Sequence, residues 1–437
     1  MSAIPIIFFI LFLRICVKLF TLFVTIYSNT ITPGFVSVNR NVKKVCKKGA
    51  KTDNLRFFLF CSITICMTTK EKVLEMLMKT GAECDEAGRE LAVGAGAAVA
   101  GGYASGRGAV SGEKLAAECG VSRAAVWKAV NALREQGYQI EGTPNGGYVL
   151  SDSDVLSSDL FTGALNKNFP ELKDCHTEVF KEIDSTNTYA KRLLAECGGL
   201  RAAGGELTQA GKRYHKAVIV AESQTAGRGR LGRTFVSPAK SGIYLSIIYA
   251  PEGGIQNPAR LTAATAVAIC RAVRKLYGIE TQIKWINDIF YKGKKICGIL
   301  AEGVTNFESG MIESAIVGIG INIKDNPEAF GSELSKVAGS LGDGSEGVSR
   351  CALAAEIAGQ TLRIFEEDKD NHANIIEEYR KLSFLIGQTL TVHPLIGDDK
   401  SAYSAKAIDI DDNAGLIVEL ADGARRTLNS GEVTLHS

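Results

Sequence analysis

"ESQTAGRGRLGRTFVSPAKSG", Glu222 to Gly242, sets three arginines among glycines, and Gly227, Gly229 and Gly232 satisfy the pattern G-x-G-x-x-G. Read as a dinucleotide turn, the stretch would make the chain an open parallel sheet built around a cofactor. Such a turn must open directly into a helix whose N-terminus meets the pyrophosphate. The residues after Gly232 carry Pro238 and no helical period, so the dinucleotide reading fails on context. Glycine lets a backbone approach a ligand closely, and arginine offers forked donors to carboxylate or phosphate. The loop therefore suits folding over an anion, while a solvated basic loop has the same letters.

Strand and helix patterns alternate on both sides of it. Apolar, β-branched runs at 217–222, 242–250, 282–286, 295–303 and 314–323 read as strands, and helical periodicity appears at 185–196, 259–277, 352–367 and 375–385. The expected centre is a mixed-sheet α/β domain over 153–385. From 386 to 437 short strands at 388–393, 405–411, 415–420 and 425–431 alternate with turn residues, which predicts a small β-barrel.

Upstream, "SGEKLAAECGVSRAAVWKAVNALREQGY" (111–138) puts Ser111 and Ser122 at helix starts and Gly120 and Gly137 at helix stops. The hairpin that follows turns at Asn145-Gly146. A helix-turn-helix with a hairpin wing is expected over 67–152, with Ser122, Arg123, Trp127 and Lys128 at the end of the second helix that enters a major groove in DNA-binding proteins. A small helical module without DNA contact fits the same pattern. Val73, Leu74, Leu77 and Met78 mark a further short helix, separated from the pair by a Gly/Ala-rich stretch at 83–109 that reads as a flexible insertion.

A chain of 437 residues implies more than one core. With 50 Lys+Arg against 48 Asp+Glu, overall charge points to no partner, so anion binding must be local. The 11 cysteines lack paired metal-site spacing and read as reduced thiols, which predicts a cytoplasmic protein with no protein-held metal cluster. Residues 1–66 are apolar and basic, but Arg14 and Lys18 interrupt the apolar run. An over-called start, with the natural terminus at Met67, is expected there, and a membrane anchor is the other reading.

Three more stretches carry polar chemistry. In "KWINDIFYKGKKICGIL", Asp288 suits a magnesium ion or a phosphate and Lys295 suits charge neutralisation at phosphorus, while Trp285 reads as core. "DSTN" puts Ser185, Thr186 and Asn187 in a first helical turn, where free backbone N–H groups can hold a polar head, although capping alone accounts for Ser185. "GIGIN" ends a strand with Gly318, Gly320 and Asn322, which allows close approach of a small molecule or merely a tight strand.

Taken together these stretches resemble the biotin protein ligase family, and with the winged helix its bifunctional bacterial form, from Met67 to Ser437. The most specific elements are the arginine loop, "KWINDI" and "KKICGIL". The resemblance implies a multidomain α+β protein: an N-terminal winged helix, a central catalytic domain of the biotin/lipoate ligase type and an SH3-like C-terminal barrel. It implies ATP, biotin and Mg²⁺, formation of biotinyl-5′-AMP, and transfer to a lysine of the biotin carboxyl carrier protein of a carboxylase. It also implies operator DNA as a partner, repression of biotin synthesis genes, and a homodimer when biotinyl-5′-AMP is bound. On that resemblance Ser185, Thr186, Asn187 and Gln224 hold biotin, and Arg228, Gly229 and Arg230 lie over its carboxylate and the adenylate phosphate. Lys295 neutralises the reacting groups, Asp288 positions metal-bound phosphates, and Asn322 lies near the nucleotide. The chain departs from the family at Ile286, where proline is usual, in the long connection 197–215, and at His436, where relatives can carry arginine. A lipoate ligase and a ligand-sensing DNA-binding regulator without ligase activity are the rival readings.

Overall fold

The computed structural model describes residues 68–78, 109–143, 147–150, 154–202, 205–305, 310–342, 349–368, 372–394 and 402–435. The expectations for 1–66, for 83–108, for the Asn145-Gly146 turn and for His436 lie outside the described residues. The chain divides into Met1–Met67 and Thr68–Ser437, and every element below belongs to the second unit. Among the described residues no helix is long and apolar enough to cross a membrane.

Helix α1 (69–78) buries Val73, Leu74 and Leu77 in one core with α2 (Gly112–Cys119) and α3 (Arg123–Glu135). The two serines do cap. Ser111 Oγ accepts from Lys114 N at 3.1 Å and Ser122 Oγ from Ala125 N at 3.2 Å, and Gly120 ends α2 at φ 65°. Strands β1 (Ile140–Thr143) and β2 (Gly147–Leu150) pair antiparallel, and Val110 bridges Tyr148 to seat this wing against the helices. The stretch 83–109 thus does not keep α1 from the helix pair.

The centre is a seven-stranded sheet in the order β3 (Thr177–Phe180), β4 (Val218–Ala221), β5 (Gly242–Tyr249), β9 (Ile312–Asn322), β8 (Lys294–Thr305), β7 (Asp288–Tyr291), β6 (Gln282–Lys284). Only β3 and β4 are parallel; the rest pair antiparallel. One face is covered by α4 (Ser158–Asn168), α7 (Pro258–Tyr277), α9 (Arg350–Glu367) and α10 (His372–Leu382), which share a core with Ile243, Leu245, Val317, Ile319 and Ile299. The opposite face carries α5 (Thr186–Glu196) and α6 (Gln209–Tyr214), packed on Ile219, Ile248 and Ile316. Because successive strand residues point to opposite faces, burying Ile243, Leu245 and Ile319 turns Tyr244, Ser246, Gly318 and Gly320 toward the α5 side.

Strands β3 and β7 and helices α4, α6 and α8 (Pro327–Val337) carry no pattern strong enough to be expected. The expected helix 375–385 runs instead from His372 to Leu382, because Ser383 leaves it to bridge Ile283 of β6. The residues after Asn287 form strand β7, paired Lys284↔Asp288 with β6. Trp285 is core, as expected: it is buried and its Nε1 donates to Ala414 O at 2.8 Å. The Trp285–Ile286 peptide is cis.

Five C-terminal strands, β10 (Thr389–His393), β11 (Tyr403–Ile410), β12 (Leu416–Glu419), β13 (Arg425–Leu428) and β14 (Glu432–Leu435), form an antiparallel sheet in the order β13-β12-β11-β10-β14. Its edge strands are joined by residues 429–431 alone. Laid flat, the edges would stand about 19 Å apart at ordinary strand spacing, whereas four residue steps reach about 14 Å at most. The sheet must curl, which gives the expected barrel. Its inner residues Leu390, Val392, Leu416 and Val418 belong to the same apolar core as the central sheet.

Gly359 of α9 faces the buried ring of Phe169, where a Cβ would lie 2.2 Å from ring carbons. Gly→Ala inside a helix normally stabilises by about 1 kcal/mol. Here overpacking, costing about 1–3 kcal/mol, should win. Gly359→Ala should therefore lower the melting temperature, and an increase in a thermal scan would refute the packing.

Candidate active site

A cleft of about 630 Å³ opens on the α5 face of the sheet. Ser185 caps α5, its Oγ accepting from Thr188 N at 3.4 Å, so the capping role holds while the residue also lines the cleft. Thr186 N donates to Gln224 Oε1 at 2.8 Å, and Gln224 Nε2 donates to Ser237 Oγ at 2.9 Å. Gln224 thereby ties the helix start to the returning strand of the arginine loop. Beneath them Ser246 Oγ lies 2.7 Å from Thr186 Oγ1 and 2.6 Å from Asn187 Oδ1. This forms a continuous chain of hydroxyls and amides at one end of the cleft.

The glycines of "GIGIN" have a different use from close approach of a ligand. A Cβ on Gly318 would lie 2.3 Å from Asn187 Oδ1, and one on Gly320 would lie 2.5 Å from the Phe235 ring. Their missing side chains make room for two of the protein's own. Asn322 Nδ2 donates to Gly339 O at 2.9 Å and the residue lines the cleft beside α8.

The arginine loop is an irregular hairpin, not a helix-opening turn. Gln224 N donates to Ser237 O at 3.1 Å, Phe235 N to Gly227 O at 2.9 Å and Gly229 N to Arg233 O at 2.7 Å. Its tip passes through Leu231 at φ 55° and Gly232 at φ 75°. Each arginine is held by a different part of the chain. Arg228 Nη2 lies 3.3 Å from Glu302 Oε1, Arg230 Nη1 donates to Asn287 Oδ1 at 2.8 Å, and Arg233 pairs with Glu432 at 2.6 Å. Arg230 Nη2 also donates to Gly431 O at 3.2 Å, so the C-terminal barrel borders the cleft.

At the other wall Lys295 Nζ lies 2.7 Å from Asp288 Oδ1. Burial holds the Lys284 ammonium below the usual lysine range; Asp288 opposes that shift and Lys295 adds to it. Lys284, Lys295, Arg228 and Arg230 make the cleft strongly cationic, which suits an anionic ligand. Among the described residues no group of three or more His, Cys, Asp or Glu could hold a metal ion.

All the residues singled out between Ser185 and Asn322 line this one cleft: Ser185, Thr186, Asn187, Gln224, Arg228, Gly229, Arg230, Asp288, Lys295 and Asn322. Sequence reasoning missed Phe235, Ser246, Glu302 and Glu432. Strand alternation from Gly298 through Leu300 would have found Glu302. Nothing in the letters signals Glu432, whose place depends on how the barrel sits. Away from the cleft, Ser122, Arg123, Trp127 and Lys128 are exposed at the start of α3. Trp127 is 56% exposed although α3 buries Val126 and Val130 beside it. Arg123 pairs with Glu113 at 3.1 Å, both in solvent.

Comparison with known proteins agrees with this arrangement. Residues 104–149 match the HTH domain family, 204–322 the Biotin/lipoate A/B protein ligase family and 394–435 the Biotin protein ligase C terminal domain family. The chain is 31% identical over 324 residues to the Bifunctional ligase/repressor BirA of Bacillus subtilis (strain 168), covering 72% of this chain and 91% of that protein. It is 28% identical over 331 residues to the Bifunctional ligase/repressor BirA of Escherichia coli (strain K12), covering 75% and 93%. Among solved structures, biotin protein ligase from Aquifex aeolicus in complex with biotin and ATP aligns with TM-score 0.47 and 22% identity, over 60% of this chain and 98% of that one.

Phe235 closes the base of the arginine hairpin, so displacing its ring should loosen the loop. Gly320→Ala should therefore speed trypsin cleavage after Arg228, Arg230 or Arg233 relative to the parent. Unchanged cleavage kinetics at these sites would show that the glycine does not seat the loop.

Proposed function

This chain belongs to the family of bifunctional biotin ligase/repressors, and we propose that its cleft joins biotin to ATP and then passes biotin to a carrier-protein lysine. In the first step a biotin carboxylate oxygen attacks the α-phosphorus of ATP, forming the C–O–P bond of biotinyl-5′-AMP while the bond to pyrophosphate breaks. In the second, the acceptor lysine amine attacks the acyl carbon and AMP leaves. Both steps gather negative charge more than they need a covalent nucleophile, so preorganised cations supply most of the catalysis. The observation that carries this reading is a single cleft with neutral amides and hydroxyls at one end and Arg228, Arg230, Lys284 and Lys295 along the rest.

Ser185, Thr186, Asn187 and Gln224 supply paired donors and acceptors to the ureido head of biotin, with buried Ser246 supporting Thr186 and Asn187 from beneath. Arg228, Gly229 and Arg230 cover the carboxylate and the adenylate phosphate, and Lys295 neutralises the pair as they react. Asn322 borders the nucleotide. Asp288, which lines the cleft, would hold Mg²⁺ together with the phosphates of ATP, as magnesium usually pairs one or two carboxylates with substrate phosphates, and the ion would offset phosphate charge. The amide and hydroxyl chain favours biotin over lipoate, whose dithiolane would leave these polar groups unpaired. A purely ligand-sensing regulator would have no use for the Lys295–Asp288 pair. The acceptor is the biotin carboxyl carrier protein of a carboxylase. The free cysteines among the described residues suit the cytoplasm.

Lys295→Ala should reduce biotin-dependent exchange of labelled pyrophosphate into ATP by about 100-fold or more while biotin still binds. Adenylate formation at the parent rate would remove Lys295 from the mechanism. Lipoate run in parallel should give no exchange.

For repression, Ser122, Arg123, Trp127 and Lys128 face operator DNA. One module carries few charges, so two copies on a palindromic site, joined when biotinyl-5′-AMP is bound, supply the affinity. Biotinyl-5′-AMP should strengthen binding to the protein's own biotin-operon control region. Arg123→Ala should weaken that binding and leave ligation intact. Equal DNA affinity with and without the adenylate at matched salt would leave only the ligase.

A further inference from the structure

Glu302 lies at the meeting point of the biotin end of the cleft and the arginine loop. Its side chain is 17% exposed; Oε1 lies 2.7 Å from Lys191 Nζ and 3.3 Å from Arg228 Nη2. Its Oε2 accepts from Asn187 Nδ2 at 2.9 Å. Burial alone would raise this carboxyl group, but Lys191, Asn187 and Arg228 outweigh it and hold the group below the ordinary carboxylate range. Glu302 is therefore ionised at neutral pH, and an ionised carboxylate only accepts hydrogen bonds.

That polarity orients the Asn187 carboxamide. The Asn187 carboxamide must turn its NH₂ to Glu302, with a second contact from Nδ2 to Leu300 O at 3.3 Å. Its Oδ1 then faces Ser246 and takes the single hydroxyl proton of that serine. Thr186 Oγ1 lies 2.7 Å from Ser246 Oγ and 3.2 Å from Gln224 Oε1, and that same Oε1 accepts from Thr186 N at 2.8 Å. With the amide reversed, Nδ2 would face Ser246, whose proton would turn to Thr186 Oγ1, so Asn187 and Ser246 would exchange roles; Gln224, held by the Thr186 backbone N–H, would not.

We propose that Glu302 is a positioning residue for recognition of biotin: it sets the polarity of the Asn187–Ser246 pair and seats Arg228 at the mouth of the cleft. When the substrate carboxylate takes Arg228, Lys191 still balances Glu302, so Asn187 keeps its orientation. This rests on the biotin reading of the cleft. Lys191 lies one helical turn after Asn187 on the same face of α5, which is why both reach one carboxylate.

Full-length Glu302→Gln tests it. Glutamine keeps the shape but can turn its own amide either way and carries no charge. The KM and Kd for biotin should rise about tenfold, the loss expected for charge-assisted contacts. The kcat at saturating biotin should stay within about threefold, and the KM for ATP should not move. Asn187→Asp alone faces Glu302 with a second carboxylate and should bind biotin poorly; combined with Glu302→Gln, which can donate to it, binding should partly recover. A biotin KM within about twofold of the parent, a loss of kcat alone, or no recovery in the double variant would overturn the proposal. A parent protein without biotin-dependent exchange would instead overturn the ligase reading on which it rests.

Discussion

The arginine loop has its shape because one buried guanidinium clamps both of its ends. Arg350, 1% exposed, donates from Nη1 to Glu222 Oε1 at 2.8 Å and to Gly242 O at 3.1 Å, the residues at which the loop leaves β4 and enters β5. Its Nε donates to Asp154 at 2.7 Å, just after the winged helix. Removing the cation would strand two acids near the core, a loss of about 3–5 kcal/mol for a broken buried pair. Replacing all three with apolar groups could be neutral for stability, but the hairpin would lose the common anchor of its base. The clamp therefore serves the geometry of the loop more than the stability of the fold.

The charges of the cleft fall into a hierarchy. The Arg233–Glu432 pair is solvent-exposed on the arginine side and contributes little to stability, as surface pairs do. Arg228 and Lys295 rest on Glu302 and Asp288, both largely withdrawn from solvent. An anionic substrate competes with these carboxylates for cations already in position, so little reorganisation is needed at the moment of reaction. The cleft's cations are set in place by the protein's own anions.

Most of this was legible in the letters because each motif had a local physical cause. Ser111 and Ser122 announced their helices by capping, and the strands around Gly318 announced themselves as apolar, β-branched runs. Gly318 and Gly320 were read as places for a small molecule to approach or as a tight strand, but what approaches is Asn187 and Phe235, partners 131 and 85 residues away in sequence. Such pairings depend on strand order, which no local pattern contains. The same limit hid Glu432 and strand β7: a four-residue strand following a tight three-residue turn has too few positions to show a period.

The winged helix and the remainder of the molecule differ in how their cores are assembled. Val73 to Leu150 close a core among themselves, whereas the core under the central sheet includes Leu390, Leu416, Val418 and Val433. A ribosome delivers the chain from its N-terminus, and a domain folds when its last core residue has emerged. The winged helix can be complete while most of the ligase is still unmade. The catalytic sheet must wait for Val433. During synthesis, then, the part that would read DNA exists before the part that would tell it whether biotin is present.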